Sequence, residues 1–303
     1  FTAINYSGGG DRGNDEILTL LADNRAFFVS GELQDVSGKT LLDGISNVTV
    51  SEHSHDYKSE TGKCACGKTC DHTNVDSKTG ICGDCGYQLT AIISGVETPS
   101  YYGNIDDAFA AAVSEENNGC TLTLYKNCEL SQVTEIRNAT VTVDVNGYSL
   151  GGIYAEIDVI DDGVMYLKDS RKSTYNGIIN TPVVVNGGTL INGSADGSSS
   201  AVDIYQLGVQ RAESVEIYGG RCETLFIENA SGIALYGGSY GLIHGNENVT
   251  NTPVSNLLAK GYAFATLNEV TNLPEKIVDG STTMIGGTLE NVVVLEHTHT
   301  YTE

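Results

Sequence analysis

The chain has 303 residues and carries 39 acidic against 16 basic side chains, a formal net charge of −23. A surface this negative repels phosphate backbones, which excludes nucleic acid as a partner class. No run reaches the roughly 18 consecutive apolar residues of a spanning helix, so membrane insertion by this chain is not expected.

Glycine is abundant (36 residues), proline is scarce (4), tryptophan is absent and tyrosine is frequent (16). That balance predicts a mainly β fold with many tight turns between short strands and few helices. The first residues, Phe1-Thr2-Ala3-Ile4, lack the basic region and cleavage site of a leader, and no start methionine is present. Residues 1–50 read as the tail of a module that recurs later in the chain, which makes the sequence a fragment of a longer protein.

The next segment, 51–90, is rich in potential metal ligands. Its first half places His53-Ser54-His55 ahead of Cys64-Ala65-Cys66-Gly67. Its second half places Cys70-Asp71-His72 ahead of Cys82-Gly83-Asp84-Cys85-Gly86. Ser59-Glu60-Thr61-Gly62 leads into the first cysteine pair and Ser77-Lys78-Thr79-Gly80 into the second, the mark of a local duplication. Zinc favours four tetrahedral nitrogen and sulfur ligands, and each half offers four. A glycine after the second cysteine tolerates a positive φ, and backbone N–H groups there can point at sulfur. Two structural zinc ions in a small ribbon or knuckle module are therefore expected, held by His53, His55, Cys64 and Cys66 and by Cys70, His72, Cys82 and Cys85. Interleaved pairing of the two sets is the alternative ligand arrangement. Disulfides are the competing reading, but five cysteines in the stretch is an odd number and disulfides leave the three histidines unexplained. Full ligand sets point to closed structural sites, and nothing marks Glu60 or Asp84 as a general base.

A helix is predicted over 104–118, with Asn104 as its N-cap, Asp106 and Asp107 in its first turn and Gly119 at its end. Ile105, Ala108, Phe109, Ala112 and Val113 form its apolar face. After Gly119 come short β-branched runs, among them Thr121–Tyr125, Thr140–Val145, Val164–Leu167 and Val215–Tyr218, separated by Asn-Gly and Gly-Gly turns. Ile-Tyr-Gly-Gly and Leu-Tyr-Gly-Gly recur at 217–220 and 235–238. This rhythm suits a right-handed parallel β-helix over 91–265, capped by the helix, with stacked coils filled by Val, Ile and Leu. A β-sandwich is the rival architecture. Asn-x-Ser/Thr sequences at Asn47, Asn138, Asn192, Asn229 and Asn248 read as asparagines at coil corners.

The remainder, 266–303, reads as a C-terminal β segment leading into the start of another metal module. Leu257-Leu258-Ala259 with Ala263-Phe264 repeats Leu20-Leu21-Ala22 with Ala26-Phe27, and Asp279-Gly280 resembles Asp43-Gly44. Asn291-Val292 through His297 and His299 repeats Asn47-Val48 through His53 and His55. His297 and His299 are thus an incomplete metal half-site.

Asp106-Asp107-Ala108-Phe109, then Thr121–Asn127, then Thr140–Leu150 with its Asp144 and Asn146-Gly147, resembles the opening of right-handed β-helix domains in large tandem-module surface proteins of Gram-positive commensal bacteria. The resemblance covers roughly 101–264. It implies a capping helix and a place on the bacterial cell surface outside the cell, fold and location more than activity; the chain outside 53–85 reads as a binding scaffold rather than an enzyme. Some multi-domain surface proteins of this broad type bind immunoglobulins as B-cell superantigens, so immunoglobulin is the first candidate among host protein and host glycan partners. Cys120 and Cys128 depart from the pattern.

Cys120, Cys128 and Cys222 lie outside the metal cluster and read as buried thiols, with a Cys120–Cys128 disulfide as the alternative. No catalytic residues are assigned. An acidic-polysaccharide lyase would need acidic calcium ligands and a basic residue together. Asp158, Asp161, Asp162 and Asp169, with Lys168 and Arg171, are the best candidates, although they fall in one turn region and read as a solvated loop. The same fold could also carry a glycosidase, or serve as a purely structural spacer with no ligand. Tyr205, Tyr218, Tyr236 and Tyr240 recur in the later coils and are the candidate ligand-binding side chains, with interior packing the competing reading.

Overall fold

The computed structural model describes residues 1–5, 14–22, 24–171, 176–268, 271, 273–287 and 289–297, the side chain of Asn248 excepted. The fold is mainly β, and the chain divides into two compact units, Phe1–Leu89 and Thr90–Glu303. Residues 1–50 and 51–90 thus share one unit. The expected boundary at 265/266 falls inside the strand Tyr262–Leu267, because that strand pairs with Leu289–Glu296 and extends the sheet of the preceding strands. Among the described residues no helix is long and apolar enough to cross a membrane.

In the second unit the chain alternates between two parallel sheets. One runs through Cys120–Leu124, Thr140–Asp144, Val164–Lys168, Thr189–Asn192, Ser214–Ile217 and Ile233–Leu235. The other includes Thr134–Arg137, Ile157–Ile160, Val183–Asn186, Asp203–Arg211, Arg221–Ile227 and Ser239–Gly245. Each strand pairs in register with its counterpart one coil later, so like positions stack: Val141 beside Met165, Met165 beside Leu190, Leu190 beside Val215. Alternate residues point inward, and these stacks are fully buried. Each such side chain contributes about 1.5–3 kcal/mol of burial. Asn138 and Asn146 hold left-handed corners (φ 52° and 49°), which asparagine tolerates by local hydrogen bonding. Asn192 departs from the corner reading: it is buried, and its side chain clamps the backbone of Val202 through both the N–H and the carbonyl.

The helix Ile105–Ala112 packs on the strands Ala91–Ser94 and Cys120–Leu124 with Ile105, Ala108, Phe109 and Ala112 buried. Its N-cap is Asn104, whose side chain accepts from the N–H of Asp106 at 2.7 Å. It ends earlier than predicted. Ser114 Oγ and Asn117 Nδ2 both donate to the carbonyl of Ala111, and the chain turns into a short 3-10 segment at Glu115–Asn117. Serine and asparagine side chains offer the backbone a local alternative to further helix.

The two repeated segments form the same hydrogen bonds. Ile17 N–H donates to Lys39 O, and Val254 N–H to Thr283 O, both at 2.9 Å. Arg25 pairs with Glu52 and Phe27 with Val50, as Tyr262 pairs with Glu296 and Phe264 with Val294. Asn47 and Asn291 are both left-handed, at φ 55° and 50°. Even Phe1–Ile4 has a counterpart: Ile4 pairs with Ile45 as Ile243 pairs with Leu289. One alignment is corrected. Asp279 corresponds to Asp35 rather than Asp43, because each caps a turn by accepting from a serine two residues on, Ser281 and Ser37.

Candidate metal centre and aromatic face

Two hairpins build the metal ligands. Tyr57–Lys58 pairs with Lys63–Cys64, and Val75–Asp76 pairs with Ile81–Cys82. The turns match bond for bond: Gly62 N–H donates to Lys58 O and Gly80 N–H to Asp76 O, both at 2.8 Å. Asp76 also caps its own turn by accepting from Lys78 and Thr79, which lowers its carboxyl below the usual range. After each first cysteine the chain folds back, with Gly67 N–H on Cys64 O and Gly86 N–H on Cys82 O. Gly67, at φ 89°, has no room for a side chain: a Cβ would lie 2.5 Å from Asp35 Oδ1.

These knuckles bring together His53, His55, Cys64 and Cys66, and separately Cys70, His72, Cys82 and Cys85, each set with all four ligand atoms within 4.8 Å of one another. The ligands are not interleaved. His53 Nε2 lies 3.1 Å from Cys64 Sγ, and His55 Nδ1 3.3 Å from Cys66 Sγ. In the second set Cys70 Sγ lies 3.7 Å from Cys82 Sγ, and His72 Nδ1 3.5 Å from Cys85 Sγ. Tetrahedral coordination with metal–sulfur bonds of about 2.3 Å and metal–nitrogen bonds of about 2.0 Å requires ligand–ligand spacings of about 3.3–3.8 Å. Three of the four spacings fall in that range and His53–Cys64 lies just below it, so the donor sets fit a nitrogen- and sulfur-preferring metal ion. All five cysteines are free thiols, and 3.7 Å between sulfurs is far from a bond of about 2.05 Å.

Burial raises the thiols of Cys66 and Cys85 and pushes Cys70 up to about 12. Burial also opposes ionisation of Cys82, but backbone N–H groups of Asp84 and Cys85 outweigh it and lower that thiol. A bound cation would supply the missing positive charge and hold all of them as thiolates. Tyr87 N–H donates to Cys85 Sγ at 3.4 Å, the backbone-to-sulfur bond expected of a knuckle. Aromatic neighbours flank the histidines: Tyr57 stacks on His55 at 5.7 Å and Tyr87 on His72 at 5.3 Å. Sequence spacing alone does not single out these tyrosines. Asp84 is engaged by Asn74 Nδ2 at 3.0 Å.

In the second unit, His297 occupies the place that His53 holds in the first. His53 N–H donates to Asn24 O at 3.0 Å, and His297 N–H to Gly261 O at 2.8 Å. His299 lies outside the described residues.

The four candidate tyrosines do not share a face. Tyr218 and Tyr236 stack at 4.5 Å with an interplanar angle of 11°, and Tyr262 meets Tyr236 edge-on. Tyr218 donates its hydroxyl to Glu216 at 2.6 Å, which raises the phenol well above its ordinary range. Tyr205 is exposed but belongs to a strand of the other sheet. Tyr240 is corrected to a core residue: it is 1% exposed, and its hydroxyl reaches Gly237 O. The strand Ser239–Gly245 presents it inward against Phe264. Tyr166, not singled out from sequence, is 39% exposed one coil away from Ile191 on the face that carries Tyr218.

The acidic candidates are also separated. Asp158 lies on a strand in register with Glu135, not in a turn. Burial, then Glu156 and Glu135, raise its carboxyl to about 7, and its Oδ1 is buried without a partner. Asp161 pairs with Arg137, Lys168 with Asp144, and buried Asp169 accepts from Gly177 N–H. Asp162 stays exposed and Arg171 lies over the ring of Tyr148. Cys120 and Cys128 are free thiols, in strands of different sheets.

No family model matches the chain. Neither a curated protein nor a solved structure shows significant similarity to it.

Proposed function

We propose that the chain is an extracellular binding module of the bacterial cell surface, built as a right-handed parallel β-helix with two structural zinc ions at the joint between repeats. Its ligand is a host protein or a host glycan, with immunoglobulin the first candidate. The observation that carries this reading is the Tyr218–Tyr236 stack on an outer sheet face, with Tyr166 on the same face. Aromatic side chains held rigid on a sheet offer large contact area at low conformational cost.

Zinc is the metal of choice because both sets mix imidazole and thiolate in closed groups of four. The stacked coils and capping helix support the β-helix architecture. Capture of the purified chain on immobilised immunoglobulin G, immunoglobulin A and mucin tests the binding role. Retention on at least one, reduced in Tyr218→Ala, is the expected result. A chain that passes through all three without delay sinks the reading.

A carbohydrate-active enzyme is the second reading, favoured by one observation: Asp158, with its raised carboxyl, lies in register with Glu135. Paired carboxylates with divergent acidities perform acid–base glycoside cleavage. Release of reducing sugars from polysaccharides, abolished in Glu135→Gln, would establish it.

A further inference from the structure

We infer that the groove beside Gly193 binds an uncharged pyranose sugar, a deepening that rests on the binding-module reading above. The groove runs along two stacked files of residues. Thr142, Tyr166, Ile191 and Glu216 follow one another in register on successive coils. In the neighbouring file, Lys168 is followed one coil later by Gly193 and then by Tyr218. The groove has a volume of about 450 Å³ and is lined by Tyr166, Lys168, Ile191, Gly193, Ser194 and Glu216 among others. Its Gly193 corner is fixed: Gly193 sits at φ 82°, and a Cβ there would come 3.0 Å from Ala201 Cβ.

The lining divides as a pyranose requires. A pyranose has an apolar C–H face and a rim of hydroxyls. The exposed ring of Tyr166 with Ile191 supplies an apolar floor. Lys168, Glu216 and the hydroxyl of Ser199 supply donors and acceptors at the edges. These groups are pre-positioned. Glu216 accepts from Tyr218 at 2.6 Å, and Lys168 lies 3.6 Å from buried Asp144. The wall carrying Ser194 and Ser199 is tied at its base by the Asn192 clamp on Val202 and internally by the N–H of Ser199 on Ser194 Oγ.

Charge selects against acidic sugars. Lys168 is neutralised by Asp144, which leaves the Glu216 carboxylate uncompensated in a chain of net charge −23.

Saturation-transfer NMR and calorimetry on the full chain, with galactose, mannose, N-acetylglucosamine and xylose as probes and glucuronic and N-acetylneuraminic acids as charged comparators, test the proposal. At least one uncharged sugar should saturate in the millimolar range, with the acids about tenfold weaker. Tyr166→Ala, at an exposed position, should weaken that sugar about tenfold with an unchanged circular dichroism spectrum. Glu216→Gln should narrow the gap between uncharged and acidic sugars, a response that lost structure does not produce. No saturation by any uncharged sugar, a Tyr166→Ala chain that binds like the parent, or an unchanged charge preference in Glu216→Gln each overturns the proposal. Retention on immunoglobulin or mucin without sugar binding defeats the groove and keeps the binding module. Absence of both defeats both.

Discussion

Cys70 and Gly62 link the two metal sets through the backbone: Cys70 N–H donates to Gly62 O at 2.8 Å, closing the first knuckle. The side chain of the same Cys70 is the first ligand of the second set. Gly62 also lies against the second ligand of that set, where a Cβ would stand 2.9 Å from His72 Cε1. The two candidate sites therefore share a structural element.

From this, His53→Ala with Cys64→Ser should lower metal affinity at the second site by several-fold, about 1 kcal/mol of coupling. Cobalt(II) reports each site by its own thiolate charge-transfer intensity, three sulfurs against two. Equal second-site affinity in the variant and the parent would show the sites to be independent.

Gly62→Ala places a side chain at φ 64°, a left-handed position, and against the His72 ring. The backbone strain alone costs about 1 kcal/mol. Competition with a chromophoric chelator should show the second site weakened more than the first.

Metal removal should unfold 53–89 selectively. The two sets supply most of the buried groups there, with Cys64, Cys66, Cys70, Cys82 and Cys85 all buried, and knuckles this small take their folding free energy from the ion. Strong chelation should expose Lys63 and Lys68 to trypsin while the melting transition of the Thr90–Glu303 sheets stays in place. Trypsin resistance in chelator at these lysines would count against the metal sites.

Asp158 should make stability fall as pH rises. Its carboxyl is raised to about 7 from an ordinary 3.8, chiefly by burial. The folded state thus holds the proton more tightly than the unfolded chain. The contribution is complete below about pH 4 and is lost as pH climbs through 7. Asp158→Asn should flatten this trend and stabilise the chain above pH 7 by about 1 kcal/mol, a value discounted because the group is partly solvated. Urea titrations at pH 5 and pH 8 measure it.

Tyr240→Ala should cost about 3–5 kcal/mol, since a fully enclosed ring leaves a cavity, whereas Tyr205→Ala should be close to neutral. Thermal melts of the two variants separate a core tyrosine from a surface one.

The metal ligands were legible because their geometry is local. Two cysteines one or two residues apart, a following glycine and a His-x-His or Cys-x-His segment a hairpin earlier lie close whatever the rest of the chain does. The Asn104 cap is local too, its acceptor two residues from its donor. The direction of the tyrosines was not legible. Tyr218 and Tyr240 both sit in or beside short strands with glycines nearby, yet one faces out and the other in. Likewise Asp158 gains its unusual carboxyl from burial between stacked strands, with Glu156 and then the in-register Glu135 adding to it.

By itself the sequence determined both candidate ligand sets, the start of the helix at Asn104 and the recurrence of motifs beginning at Leu20 and Leu257, all encoded in short spacings. Tertiary structure alone decided that Cys70 serves two knuckles, that Tyr166 rather than Tyr240 meets solvent, and that Tyr166, Lys168, Ile191 and Glu216 line one groove. Those depend on how successive coils stack, and stacking register is set by corner lengths and pairing between strands far apart in sequence.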